Sequence, residues 1–352
     1  VKKRAKAPTA HPRLNVLVLL HPDLIPPPGV ILEGDELAAA EWKTEYDVLR
    51  TLRELGHQAH AVGVHDDLGP IRNGVLEHTP EVVFNLLEGF ANQPSFDQNV
   101  VAYLELLDVR YTGCNSRGLL LARDKALAKL LLTYHRVPVP AFAIVPRNRK
   151  VRRPKRLGFP LIVKSLTLDA STGISQASVV ETEAKLAERV TFIHEKVGTD
   201  ALVEQYIEGR ELYVGVLGNE RLQVLPVWEL LFANMPEETR NIATERLKFS
   251  MKYQKKHGIT SAAAVDLPPE LSKRIARIAK RVYRALQLTG CARIDLRLDT
   301  SGRVFVIEAN PNPQLSKDED FAQSAGKAGL AYPELIQRVV NLGLRYQLPR
   351  LG

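Results

Sequence analysis

The stretch from Leu14 to Leu20 is almost wholly apolar and ends abruptly at His21-Pro22. A run this short and this continuous fits a strand buried on both faces, the kind found in parallel sheets between layers of helices. The residues that follow keep a matching rhythm. Glu45 to Leu55 carries Tyr46, Leu49, Leu52 and Leu55 at helical spacing and stops at Gly56. Ala59 to Val64 and Glu81 to Leu86 read as further strands, and Val100 to Leu107 as a helix leading into Val109-Arg110-Tyr111. This alternation restricts the first third of the chain to a doubly wound, Rossmann-like parallel sheet.

Beyond Thr112-Gly113 the pattern changes. Leu119 to Leu132 reads as one strongly apolar helix, ended by Val137-Pro138-Val139-Pro140 because proline cannot continue the backbone ladder. Phe159 to Lys164 is a strand entering the small-residue loop Asp169-Ala170-Ser171-Thr172-Gly173, and Glu181 to Lys196 is helical. Ala201 to Ile207 and Glu211 to Leu217 are strands about the turn Glu208-Gly209, which makes this an α+β unit. Pro236 to Ile259 is polar and basic without clean periodicity and reads as a long functional loop. Pro268 to Leu286 is a helix, Cys291 to Leu298 and Arg303 to Glu308 are paired strands, and Glu334 to Leu344 is a last helix. No internal repeat or low-complexity tract interrupts this order.

Composition narrows the function classes. A length of 352 residues calls for more than one core, and 45% hydrophobic with 25% charged residues is ordinary for a globular protein. No apolar stretch approaches membrane-spanning length. Cys114 and Cys291 are the only cysteines, too few for a disulfide framework or a zinc site, and a reducing cytoplasm fits them. Val1 to Arg13, with Lys2, Lys3, Arg4 and Lys6, lacks the apolar core of a signal peptide and reads as a flexible tail. The net charge of +8 raises nucleic acid as a partner, but the basic residues look scattered and no recognition or stacking motif accompanies them. The reading is therefore no nucleic acid and no membrane.

Three residues point to chemistry. Asp295, Glu308 and Asn310 lie at the ends of two strands expected to pair, so their acceptor side chains converge. Hard divalent cations take carboxylates, amide oxygens, phosphate oxygens and water, which this set supplies. Taken alone, Glu308-Ala309-Asn310-Pro311-Asn312-Pro313 also reads as a plain polar turn; a carboxylate at Asp295 inside an apolar strand, however, calls for a partner. Lys164 ends a strand just before the small-residue loop, where a lysine can meet phosphate while backbone N–H groups wrap it, or can simply be solvated. Glu204 is similarly ambiguous by itself.

Taken in order, the set resembles the ATP-grasp superfamily, specifically the D-alanine:D-alanine ligase branch, from Leu14 to about Tyr346. The resemblance rests on Phe84-Asn85-Leu86-Leu87-Glu88-Gly89, Tyr111-Thr112-Gly113, Asp124-Lys125, Phe159 to Lys164, Val203 to Glu211, Ala292-Arg293-Ile294-Asp295 and Ile307-Glu308-Ala309-Asn310. It implies an amino-terminal Rossmann-like domain over residues 14–117, a central lid over 118–207 and a carboxyl-terminal subdomain with the metal site over 208–345. It also implies a cytoplasmic ligase that takes small-molecule carboxylate and amine substrates, with a homodimer among the compatible assemblies.

By that resemblance Lys125 and Lys164 hold the phosphates of ATP, and Ser171 and Gly173 belong to the loop that closes over them. Glu204 accepts from the adenine amino group, Tyr206 and Ile207 line its hinge, and Glu211 holds the ribose hydroxyls. Asp295, Glu308 and Asn310 bind two Mg²⁺ ions, for which Mn²⁺ is an alternative, and Arg293 stabilises charge at the reacting centre. Lys248 matches a family lysine near the γ-phosphate, with Lys252-Tyr253 as a second register.

The pattern departs from the family on the amino-acid side. The loop from His21 to Pro28 lacks the family's glutamate, while Ala170 and Phe249 stand where the family has a serine and a tyrosine. Gln314 and Glu319 replace a glycine and a serine near the second-substrate position. The resulting expectation is a carboxylate–amine ligase working through an acyl phosphate on substrates other than two D-alanines. A true D-alanine ligase, with Glu45 or Glu88 supplying the missing carboxylate, stays open. So does a nucleotide-binding regulator with a decayed acceptor site.

Overall fold

The computed structural model describes residues 12–168, 173–236 and 239–347, with the side chains of residues 248 and 249 outside the description. The stretch expected as a flexible tail, apart from residues 12 and 13, lies outside the described residues, as do Ala170, Ser171 and the side chains of Lys248 and Phe249.

Strand β1 (Asn15–Leu20) lies at the centre of a parallel sheet, followed in the chain by helices α1 (Gly34–Ala39) and α2 (Lys43–Glu54), then β2 (Gln58–Gly63), α3 (Gly69–His78), β3 (Val82–Asn85) and α4 (Asp97–Leu106). The strand order is β2-β1-β3. Val16, Val18 and Leu20 join one core with Val48, Leu49 and Leu52 of α2, whereas Leu17 and Leu19 join another with Ile71 of α3 and Val101 of α4. Two covered faces explain why β1 is apolar without alternation.

The stretch read as one helix from Leu119 to Leu132 is instead two, α5 (Ser116–Arg123) and α6 (Lys125–Tyr134). Asp124 breaks it: with φ −77° and ψ 100°, its carboxylate accepts from the N–H groups of Ala126 and Leu127 at 3.0 and 2.9 Å. An aspartate that caps the second helix cannot also continue the first. The break sets Lys125 at the start of α6.

Next come β4 (Phe142–Val145), β5 (Leu161–Ser165), β6 (Val179–Val180), α7 (Glu183–Phe192) and β7 (Ala201–Gln205). The strands form an antiparallel sheet in the order β4-β7-β5-β6. The third sheet holds β8 (Gly209–Leu217), β9 (Gln223–Val224), β10 (Trp228–Phe232), β11 (Ile259–Ala263), β12 (Cys291–Asp299) and β13 (Val304–Pro311). Its path runs β11-β10-β8-β12-β13, with β9 beside β8.

Residues 236–259, expected as an irregular loop, contain α8 (Glu245–Phe249) and α9 (Met251–His257). Thr244 caps the first and Ser250 the second, and Gly258 at φ 56° ends it. Helices this short show no readable periodicity. The amphipathic α10 (Pro269–Ala285) buries Ile275, Ile278, Ala279, Val282 and Tyr283, and α11 (Asp320–Lys327) follows β13. Finally α12 (Tyr332–Arg345) reaches back to the parallel sheet, its Leu335, Ile336, Val339 and Val340 sharing a core with β1 and α2. Among the described residues, no helix is long and apolar enough to cross a membrane.

Candidate active site

Strands β12 and β13 pair antiparallel with Arg293 opposite Asn310 and Asp295 opposite Glu308. Opposed residues two apart along each strand point to one face, so this pairing gathers four polar side chains. Asp295 is buried and held bidentately by Arg293, Nε to Oδ1 at 2.8 Å and Nη2 to Oδ2 at 2.9 Å. The guanidinium lies 4.6 Å from the ring centre of Tyr213 on β8. Burial alone would lower the pKa of Arg293, but the Asp295 carboxylate outweighs it and the pKa is raised.

Glu308 Oε2 sits 3.9 Å from Lys125 Nζ, which donates to the carbonyl of Leu168 at 2.9 Å. The Asn310 amide is buried, and its Nδ2 has no hydrogen-bond partner among the described residues. Among those residues no group of three His, Cys, Asp or Glu side chains is placed to hold a metal ion by itself. A cation here would therefore rely on Glu308, Asp295, the orphaned amide turned to present its oxygen, and oxygens of a ligand. That all-oxygen set fits a hard divalent ion.

Facing this strand pair is the antiparallel sheet of β4 to β7. Glu204 lies opposite Ile162 and Lys164 opposite Leu202, which puts Lys164 and Glu204 on one face as diagonal neighbours. Glu204 is only 1% exposed, with Lys129 Nζ 3.1 Å from Oε1 and Lys164 Nζ 3.3 Å from Oε2. Burial acts to raise its pKa, yet the two ammonium groups prevail and lower it.

Lys125, Lys164, Glu204, Tyr206, Ile207, Glu211, Asp295 and Glu308 all line one cleft between the two antiparallel sheets. Glu211 accepts from Arg297 at 2.7 Å and from the Tyr213 hydroxyl at 2.8 Å. The Tyr206 ring has Arg240 and Arg297 at 5.1 and 5.8 Å. Gly173, at φ 71°, donates to Glu245 of α8 at 2.7 Å and accepts from Arg189 of α7, tying the end of the small-residue loop to both helices.

A second cavity, of about 460 Å³, opens where the parallel sheet meets the β13 turn and is lined by Glu45, Glu88, Asn312 and Gln314 among others. A neighbouring cavity of about 380 Å³ shares Glu88, Asn312 and Gln314 and extends to Arg293 and Asn310. Gln314 donates to Thr44 at 3.3 Å, whereas Glu319 stands just before α11 without a capping side-chain hydrogen bond, lines neither cavity and senses Arg293 through its charge. The junction needs a glycine at Gly113. Its φ is 94°, and a Cβ there would stand 2.5 Å from Asn312 Oδ1, which accepts from Cys114 N–H at 2.7 Å.

The family model described as D-ala D-ala ligase C-terminus matches residues 131–341. The chain belongs to the D-alanine–D-alanine ligase family. It is an ATP-dependent carbon–nitrogen ligase of ATP-grasp fold, and membership implies use of ATP and a divalent metal. It is 35% identical to "Uncharacterized protein y4sG" of Sinorhizobium fredii over 77% of this chain and 76% of that one. It is 30% identical to a D-alanine–D-alanine ligase of Desulforudis audaxviator over 84% of each. The D-alanine–D-alanine ligase of Bacillus anthracis complexed with ATP superposes with a TM-score of 0.72 at 19% identity, covering 94% of this chain and 98% of that one.

Lys129 is the ligase side chain that sequence reasoning passed over. It is 2% exposed and, besides facing Glu204, donates to the Ile307 carbonyl at 2.8 Å, beside Glu308. Its signal was the spacing, four residues after Lys125 and so on the same face of α6.

Glu45 is a titratable handle on the second cavity. Burial first, and then the charge of Glu88, raise its pKa to about 7. With the folded value above the unfolded one, the native state holds the proton more tightly, and stability falls as pH rises from about 4.5 to about 7. The loss is at most roughly 3 kcal/mol, less where solvent in the cavity screens the charge. Glu45→Gln should flatten that slope in urea titrations at successive pH values; an unchanged slope would reject the burial account.

Proposed function

We propose that this ligase joins a carboxylate other than D-alanine to an amine through an acyl phosphate. The observation that carries the reading is the gathering of Lys125, Lys164, Asp295 and Glu308 in one cleft, with Asn310 in the adjoining cavity, beside a cavity walled by Glu45, Glu88 and Gln314. When bound, divalent metal, as two ions of Mg²⁺ or Mn²⁺ held by Asp295, Glu308 and Asn310, neutralises charge on the phosphoryl group.

Lys125 and Lys164 hold phosphate oxygens, with Lys248 and the loop of Ser171 and Gly173 closing above them. Glu211 accepts from ribose hydroxyls, Tyr206 and Ile207 flank the base, and Glu204 sets the direction of both Lys164 and Lys129. A substrate carboxylate oxygen forms the bond to the γ-phosphorus as ADP departs. The amine nitrogen then bonds to the acyl carbon, the carbon–oxygen bond to phosphate breaks, and the nitrogen gives up a proton. Arg293 uses Nε and Nη2 on Asp295, so Nη1 is the donor not engaged by that pair for the oxyanion formed in between.

Against two D-alanines stands the loss of the family's polar trio at the first-strand loop, Ala170 and Phe249. Neither side chain can donate or accept a hydrogen bond. Gln314 and Glu319 also replace small residues, Gln314 within the cavity wall. A second reading, a D-alanine:D-alanine ligase that takes its ammonium-binding carboxylate from Glu45 or Glu88, is favoured by the relative from Desulforudis.

Two measurements decide. ATP should raise the melting temperature more than GTP does, since Glu204, which lines the cleft with Tyr206 and Ile207, accepts from the adenine amino group and not from the carbonyl that guanine carries there, and equal shifts reject the adenine pocket. ADP release should occur with a carboxylate and amine drawn from a panel of amino acids, peptides and amines, and not with saturating D-alanine alone. Efficient formation of D-alanyl-D-alanine supports the second reading instead.

A further inference from the structure

The two substrate-side cavities differ in their balance of charge: one is lined by acids without lysine or arginine among the described residues, the other by two guanidiniums together with Glu88 and Asp97. The chamber of about 460 Å³ has Glu41, Glu45 and Glu88 in its wall and no Lys or Arg among the described residues, His21 and His65 being its only basic side chains. The adjoining chamber of about 380 Å³ has Arg293 and Arg123, the latter paired with Asp97. They meet at Glu88, Asn312 and Gln314.

Glu45 gives the acidic chamber a specific demand. It is 5% exposed, lines the chamber from the first turn of α2, and its Oε2 is buried with no hydrogen-bond partner among the described residues. A buried carboxylate oxygen without a donor is costly, and the cost vanishes when a ligand brings a donor with positive charge. Glu88 is open toward the same chamber, and the protein packed around it raises its pKa, so a second anion there also gains from a cation.

An α-amino acid carries its ammonium and carboxylate on one carbon. Seated here, it would place a carboxylate in a chamber of three acids with no guanidinium or lysine to receive it. A straight amine with a second ammonium several bonds away meets both chambers, its reacting nitrogen toward Asn310 and Arg293 and its far end among the acids. Resting on the ligase reading above, we infer that the amine substrate is a diamine or a similar polycation without a free carboxylate, its distal ammonium held by Glu45 and Glu88 in the chamber beneath α2.

The test uses the whole chain with Mg²⁺ and a non-hydrolysable ATP analogue, and titrates diaminopentane, pentylamine and aminohexanoate by calorimetry. Diaminopentane should bind about tenfold more tightly than either of the others, and Glu45→Gln should remove that advantage while leaving pentylamine unchanged. Glu88→Gln should act in the same direction and carries the test if Glu45→Gln does not fold. Equal affinities for the three amines, or a diamine preference untouched by both substitutions, overturn the inference. The analogue's own binding is recorded first. Its failure would count against the ligase reading, whereas nucleotide binding without diamine preference sinks only the diamine.

Discussion

Glu308→Gln is expected to lower metal-dependent ADP release at least about a hundredfold, roughly 2.7 kcal/mol of barrier, with the fold retained. Glutamine keeps the shape of the side chain and removes its charge. Glu308 is opposite Asp295 in the strand pair and 3.9 Å from Lys125, so it is where both a divalent cation and a phosphate-binding lysine have an anion to face. Asp295 alone does not make up the loss, because its two oxygens also accept from Arg293 at 2.8 and 2.9 Å, which reduces the charge it offers a cation. The measurement is ADP release across a Mg²⁺ titration, with circular dichroism to show that the variant is folded. A rate within about tenfold of wild type would remove Glu308 from the metal set, and restoration at high Mg²⁺ would make its contribution one of affinity alone.

The sequence was most readable where one physical rule acted alone. Continuous burial on both faces of β1 left an uninterrupted apolar run, and the amphipathic period of α10 left a clean stripe, so both elements could be found from residues. It was least readable where two rules competed. Apolar periodicity carries across Leu119 to Leu132, but Asp124 caps a new helix at that point, and one capping side chain overrides the period. In α8 and α9 the helices are shorter than two full periods of any pattern, and only Thr244, Ser250 and Gly258 mark them. The reach of α12 to the amino-terminal sheet is tertiary and leaves no local sign at all.

The candidate site divides in the same way. Asp295, Glu308 and Asn310 were legible because register turns spacing into proximity. Glu204 and Lys164 were legible as residues but not as a pair, since their meeting depends on a diagonal across β5 and β7, and Lys129 enters from a helix far away in sequence. The acid wall of the substrate chamber draws on the turn before α2, on α2 itself and on the loop after β3, and no motif links those segments.

That buried triad supports the second large expectation. Lys129→Met should destabilise the protein by about 3–5 kcal/mol, the usual cost of removing one partner from a buried ion pair. The substitution fills most of the volume but leaves Glu204, 1% exposed, with Lys164 alone, and it leaves the Ile307 carbonyl without its ammonium donor. Glu204→Gln should be damaging for the complementary reason, because Lys129 and Lys164 would then face each other across a neutral amide, and burial already lowers the pKa of Lys129. In the double variant neither the buried carboxylate nor Lys129 remains, so its loss should be smaller than the sum of the two single losses by at least about 1 kcal/mol. Urea unfolding of the four proteins at one pH measures this directly. Strict additivity would mean that Lys129 and Glu204 contribute independently, and that the 3.1 Å separation carries no coupling between the α6 helix and the strand that bears Glu204.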